Sequence, residues 1–235
     1  LVPSFSDSTN IGLGVNIPYF WDIANDKDIT FTPRLYSNNK PLFLTEYRQD
    51  FEKSFFILDT GYSDGYKKTS NSKTKGSRSH IFAKFFNSFF EEENLSSNLE
   101  VNLQHVSNNT YPRINKIDTS LVDYLDSTVK NTVEYSYQKE DLFFNTSFFA
   151  FEDLSKTGND RYEYIYPETT LEKNVFVSEE FGLVDFKSEL SVRNFQVDKH
   201  LDVVTNQFSW SSNSWISKFG FENEFLGLFK NVNYK

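Results

Sequence analysis

Val184-Asp185-Phe186-Lys187-Ser188-Glu189-Leu190-Ser191-Val192-Arg193 decides the fold class. Val184, Phe186, Leu190 and Val192 alternate with Asp185, Lys187, Glu189, Ser191 and Arg193. That period of two puts neighbours on opposite faces of a strand. The same rhythm runs outward in both directions. Leu99, Val101 and Leu103 alternate with Glu100, Asn102 and Gln104. Val129, Val133, Tyr135 and Tyr137 alternate with Lys130, Thr132, Glu134, Ser136 and Gln138, and Phe219, Phe221 and Phe225 with Lys218, Gly220, Glu222 and Glu224. A helix needs apolar spacings of three and four, which none of these runs has.

Turn-forming clusters separate the runs at Ala24–Asp28, Asn38–Pro41, Glu52–Lys53, Glu92–Leu95, Lys139–Asp141, Lys156–Asp160 and Ser211–Ser214. Longer polar links cover Asp64–Arg78 and Asn108–Ser127. The pattern predicts about twelve strands, well above the mean sheet. The expected fold is all-β: an antiparallel up-and-down meander forming part of a large transmembrane β-barrel, with each strand beside its sequence neighbour. No helix, second domain or sequence repeat is expected.

Composition narrows the function. Of 235 residues, 24% are charged and 38% hydrophobic, and the mean hydropathy is −0.54. Those values suit a soluble chain, but also a barrel whose strands each turn one face to a wet interior. Aromatic residues make up 18% of the chain, far from the Leu- and Ala-led usage of ordinary domains and well suited to strands. The net charge of −9 argues against a nucleic-acid partner, because phosphate binding needs clustered Lys and Arg. Absent cysteines exclude disulfides and Cys-based metal sites. No apolar run is long enough for a membrane helix.

One face of the expected sheet is charged and the other aromatic and aliphatic. The strands are long enough for a tilted membrane span. Tyr19, Trp21, Tyr62, Tyr137, Trp210 and Trp215 lie near strand ends, as in an interfacial aromatic girdle. The apolar face is therefore expected to meet lipid. A soluble sandwich that buries it is the competing fold.

Motifs for chemistry are sparse. His80, His105 and His200 have no ligand-like spacing and read as exposed or lumen-facing polar residues, so no metal site is expected. Glu91-Glu92-Glu93 reads as a solvated turn, and Gly12-Leu13-Gly14 is too short for a dinucleotide loop. No nucleophile motif or cofactor loop stands out, so neither enzyme activity nor a cofactor is expected. The prolines say more. Pro18 and Pro33 interrupt two successive strand-like segments. Proline cannot donate to a ladder, so this hairpin is expected to be a weak point in the wall.

The hairpin segment is Asn16-Ile-Pro-Tyr-Phe-Trp-Asp-Ile-Ala-Asn-Asp-Lys-Asp-Ile-Thr-Phe-Thr-Pro-Arg-Leu-Tyr36. It resembles the start of the barrel in the LptD family of lipopolysaccharide-assembly (organic solvent tolerance) proteins. Glu46-Tyr47-Arg48 looks like that family's next strand, and Val106-Ser-Asn-Asn-Thr-Tyr111 resembles a later loop. Leu1–Thr9 resembles the tail of a preceding periplasmic domain. The resemblance is clear over roughly the first quarter of the chain; past residue 112 only the strand rhythm carries it.

The resemblance implies a barrel of about 26 strands in the Gram-negative outer membrane. Residues 1–10 would then be the tail of the upstream periplasmic domain, and residues 11–235 the N-terminal half of the barrel. It also implies lipopolysaccharide transport and insertion into the outer leaflet. The implied partners are lipopolysaccharide, an LptE-type plug lipoprotein, a periplasmic bridge protein reached through the upstream domain, and outer-membrane lipid. Pro18 and Pro33 match the two family prolines of a laterally opening seam, the lateral gate. Asn16, Tyr19, Trp21, Asp22 and Asp28 match the seam-strand motif. Both chain ends read as cuts within a longer protein. Counting strands puts both long links on the periplasmic side, although barrel loops are usually longer outside. A porin or nutrient-uptake barrel and a soluble carbohydrate-binding sandwich are the competing functions.

Overall fold

The computed structural model describes residues 2–9, 11–64, 76–196 and 199–235. In chain order the elements are β1 Ser4–Ser8, β2 Gly12–Asn16, β3 Tyr19–Ala24, β4 Lys27–Tyr36, β5 Leu42–Asp50, β6 Ser54–Ser63, β7 Arg78–Glu92 and β8 Leu95–Val106. A short helix, α1 Tyr111–Asn115, follows. The rest are β9 Thr128–Lys139, β10 Leu142–Asp153, β11 Tyr162–Ser178, β12 Gly182–Phe195, β13 Lys199–Ser211, β14 Trp215–Ile216, β15 Glu222–Asn223 and β16 Leu226–Tyr234.

All but β14 and β15 join one antiparallel sheet of 14 strands, ordered β1-β2-β4-β5-β6-β7-β8-β9-β10-β11-β12-β13-β16, with β3 also on β4. The order is that of a meander, and the sheet is not closed within this stretch. β2 and β3 run along β4 in a single register, so they are one strand with a break. Counted that way, the strands after β1 make the expected dozen passes.

The strand boundaries fall at the expected turns, with three differences. First, the link after β8 contains α1, where no helix was expected. Pro112 in its first turn needs no partner for a missing N–H, and Lys116 ends it in the left-handed conformation at φ 47°. Second, the Phe219–Phe225 alternation is not a continuous strand. Gly220 turns the chain at φ +81°, its amide bonds the Ser217 carbonyl at 2.9 Å, and only the two-residue β14–β15 hairpin forms there. Third, neither the turn at Ser178–Gly182 nor the reversal between β12 and β13, where Phe195 pairs with Lys199, is among the expected clusters. Most of the Asp64–Arg78 link, residues 65–75, lies outside the described residues.

Two compact units share the chain. The first comprises Leu1–Asn87, Glu100–Thr132 and Phe151–Arg161; the second comprises Ser88–Leu99, Val133–Ala150 and Tyr162–Lys235. In the first unit, register fixes the faces of β4 to β7. Phe31–Thr45–Thr60–Ile81 and Pro33–Phe43–Tyr62–Ser79 are rows on one face. Thr30–Glu46–Asp59–Phe82 and Thr32–Leu44–Gly61–His80 are rows on the other. The first face is largely apolar yet open: Ile81 is 52% exposed. The core lies on the mixed face instead, where Leu42, Tyr36 and Phe82 pack with Ile117 and Tyr111 of the link.

In the second unit, β12 and β13 pair without a break from Leu183↔Ser211 to Phe195↔Lys199. Phe186 and Phe208 share a face with ring centroids 4.8 Å apart. The opposite face carries Lys187, bonded to Glu172 at 3.0 Å and Glu189 at 2.9 Å. A cavity of about 400 Å³ opens beside these charges, lined in part by Glu140, Asp141, Asp185 and Gln207.

Candidate functional site

The two prolines have different effects on the hairpin. Asn16 faces Arg34 and Tyr19 faces Phe31, so by the same register Ile17 faces Pro33 and Pro18 faces Thr32. Antiparallel pairs alternate between those that exchange two hydrogen bonds and those that exchange none. The Leu13–Ser37 and Ile17–Pro33 pairs bond across the hairpin, with Ser37 donating to Leu13 at 2.8 Å and Ile17 to the Pro33 carbonyl at 3.1 Å. Pro33 has no N–H to return, so one of the two bonds is missing.

Pro18 lies one residue on, where N and C=O point away from β4. Its missing donor is therefore at the outer edge of the strand. β2 ends at Asn16 and β3 begins at Tyr19, leaving Ile17-Pro18 between them. β1 covers the edge of β2 as far as Asn16, but among the described residues no strand pairs with the outer edge of β3. All six residues of β3 are exposed.

The remaining motif residues gather on this hairpin. Tyr19 and Trp21 share a face with Phe31 and Ile29. Asp22 faces Asp28 across the turn, an unfavourable pair of like charges. Arg48 on β5 neutralises it in part, bonding Asp28 Oδ1 at 2.9 Å. Asn16 donates through Nδ2 to Ser4 Oγ at 3.0 Å. Its Oδ1, and Nε of its register partner Arg34, are buried without a partner among the described residues.

A second cluster, not anticipated from sequence, sits on the mixed face beside this hairpin. His80 is 1% exposed rather than open to solvent or lumen. Its Nε2 lies 2.5 Å from Asp59 Oδ1 and its Nδ1 3.0 Å from the Tyr111 hydroxyl. The ring stacks on Phe82 at 4.4 Å. The two contacts use both ring nitrogens of His80. Burial, with the Asp59 carboxylate second, pushes the Tyr111 hydroxyl well above the ordinary tyrosine range. Gly61 makes the space: a Cβ there would lie 2.4 Å from His80 Cε1 and 2.6 Å from Tyr111 Oη.

Arg34 closes the arrangement, donating through Nη1 to the carbonyls of Asn115 at 2.8 Å and Lys116 at 3.2 Å. These are carbonyls at the end of α1, where a cation is favoured. Parity in β7 put His80 and Phe82 on one face, but nothing in the sequence showed that the distant Tyr111 would cover them. His105 has no such setting, and His200 lies 2.8 Å from Asp202 at the surface. Among the described residues no cluster of His, Cys or acidic side chains could hold a metal ion.

No family model matches the chain. The LPS-assembly protein LptD of Shewanella frigidimarina is 28% identical over 202 residues, covering 83% of this chain and 24% of that protein. LptD of Shewanella sp. strain ANA-3 is 26% identical over 199 residues, with the same coverage. LptD of Shewanella oneidensis is 53% identical over a shorter stretch of 49 residues. The chain thus spans about a quarter of the length of the curated relatives it matches, 24% for the first. By these matches and its antiparallel all-β meander, the chain is LptD-like.

Proposed function

We propose that this chain is the N-terminal half of an outer-membrane barrel that passes lipopolysaccharide into the outer leaflet through a sideways-opening seam. Residues 1–10 would then end a periplasmic domain, with β1 its last strand. Pro18 and Pro33 are the gate residues in this reading, and Asn16, Tyr19, Trp21, Asp22 and Asp28 make up the seam-strand motif.

The supporting observation is the pairing at Ile17–Pro33: one bond across the hairpin where two belong, next to an edge that Pro18 blunts. A lipid with an acylated anchor and a sugar headgroup has two needs. Its acyl chains must leave into hydrocarbon, and its sugars must stay wet. A wall polar on one face and loosened at one strand meets both, because intact backbone ladders in lipid are otherwise costly to open. The relatives' name, LPS-assembly protein, supports assembly of lipopolysaccharide rather than catalysis. An LptE-type plug lipoprotein and a periplasmic bridge protein are the partners this reading implies.

The test is a cysteine pair in the full-length protein, one on β3 and one on the last strand of the barrel. Oxidation that locks the pair should stop lipopolysaccharide from reaching the cell surface, and reduction should restore it. Normal delivery through a fully cross-linked seam would overturn the proposal. A diffusion porin would instead show a large steady conductance in planar bilayers.

A further inference from the structure

We infer that the link between β8 and β9, residues 107–127, is a strap folded against the wet face of the sheet, and that Arg34 couples it to the seam hairpin. The inference rests on the seam reading above.

A polar link between two strands has no need of an apolar core of its own. This one has such a core: Ile117 is fully buried and Tyr111 nearly so, packed on Leu42, Tyr36 and Phe82. Ile114, Leu121 and Val122 of the same link pack around them. The strap is also fastened by polar bonds at separate points. The Tyr111 hydroxyl reaches the buried His80–Asp59 pair. Ser120 Oγ lies 3.5 Å from Glu46 Oε2 on β5. The third fastening is Arg34, next in the chain to Pro33.

Arg34 is the informative contact. It sits on β4 directly opposite Asn16, one residue from the missing rung. Its Nη1 is committed to the end of α1, while its Nε and the Asn16 Oδ1 opposite are both unsatisfied. Among the described residues, the side chains of Arg34 and Asn16 are therefore not hydrogen-bonded to each other. Besides its backbone ladders to β2 and β5, β4 is tied there to the strap through Arg34. Packed groups with discrete partners can transmit such a change, and local opening is governed by the weakest contacts.

The experiment is hydrogen exchange on the full-length protein in lipid nanodiscs, comparing Arg34→Gln and Tyr111→Phe with the unmodified chain. Arg34→Gln cuts the tie at the seam end, and Tyr111→Phe loosens the strap from the His80 end without touching the seam. Both are expected to speed exchange in α1 and in 19–31 together, by roughly tenfold, the scale of one lost hydrogen bond to a charged or buried group. The β12–β13 ladder serves as the internal standard and should not change. Faster exchange in α1 with an unchanged seam would overturn the coupling, and so would no change in either segment. Heat-modifiable gel mobility of the unmodified protein tests the barrel reading separately: its absence would remove the barrel on which the inference stands, whatever the exchange data show.

Discussion

Ile17 donates its amide to the carbonyl of Pro33 at 3.1 Å, and Pro33 has nothing to donate in return. That single rung separates the roles of two prolines that look equivalent in the sequence. Pro33→Ala supplies an N–H aimed at the Ile17 carbonyl, a bond worth about 1 kcal/mol in water and more in lipid. Exchange of the amides in β3 and β4 is expected to slow by roughly fivefold or more, and cells carrying the variant should become more sensitive to large hydrophobic antibiotics as delivery falls. Pro18→Ala supplies a donor that points away from β4, so the hairpin's own exchange should not change. Equal slowing by both substitutions would contradict this geometry.

The turn at Asn25–Asp26 joins two strands whose facing carboxylates, Asp22 and Asp28, repel each other. Arg48 offsets this by binding Asp28 from β5. Its side chain is 47% exposed, so the pair is worth at most about 1 kcal/mol. Arg48→Ala should loosen the turn by that amount at low salt and by less at high salt. Asp28→Asn on top of it should recover part of the loss, because one of the like charges is gone. Thermal unfolding of the four variants as a double-mutant cycle reads out the coupling.

The legible part of this molecule is what local pattern controls. Alternation at Val184–Arg193 predicts β12 and its two faces because side-chain direction in a strand depends only on parity. Turn clusters such as Asn38–Pro41 punctuate correctly because their residues favour turn conformations. The Asn16–Tyr36 motif identified the hairpin. What sequence could not give was long-range: Tyr111 and His80 are 31 residues apart and meet only because α1 folds back across the sheet. Alternation also misled at Phe219–Phe225, where Gly220 turns the chain in spite of the aromatic spacing.

His80 holds two partners in a buried setting. His80→Ala would leave Asp59 a buried carboxylate without its partner, which typically costs about 3–5 kcal/mol. The loss is expected as faster proteolysis within 107–127 and a lower unfolding temperature. Asp59→Asn with His80 intact should cost less, because the amide oxygen can still accept from the ring. If His80→Ala matched the stability of the unmodified protein, the network would carry no energy.

Tyr111 gives the strap an alkaline limit. Its ionisation is raised above the ordinary value of 10.0 by burial and by Asp59. Below that value the unfolded and folded hydroxyls are both neutral, so the full contribution is present. Above it the unfolded tyrosine ionises while the folded one stays protonated, and stability falls with rising pH. Exchange in 107–127 should therefore accelerate above about pH 10. Tyr111→Phe should flatten that slope by one proton's worth, the other tyrosines leaving a common background. An identical slope in both proteins would show that the buried hydroxyl is not protected.

Ile81 distinguishes a lipid-facing wall from a water-facing one. It shares a row with Phe31, Thr45 and Thr60, and it is half exposed in this structure. In water, Ile81→Arg at so open a position should change stability by no more than about 0.5 kcal/mol. In a bilayer the same charge costs about 2–4 kcal/mol near the midplane. Refolding of the full-length protein into vesicles should therefore be strongly impaired by Ile81→Arg. Lys84→Leu, on the opposite face, should refold normally and lose only the 3.1 Å contact with Glu100. Unimpaired refolding of Ile81→Arg would mean that this apolar face meets water or protein rather than lipid, and the reading of the chain as membrane wall would fall with it.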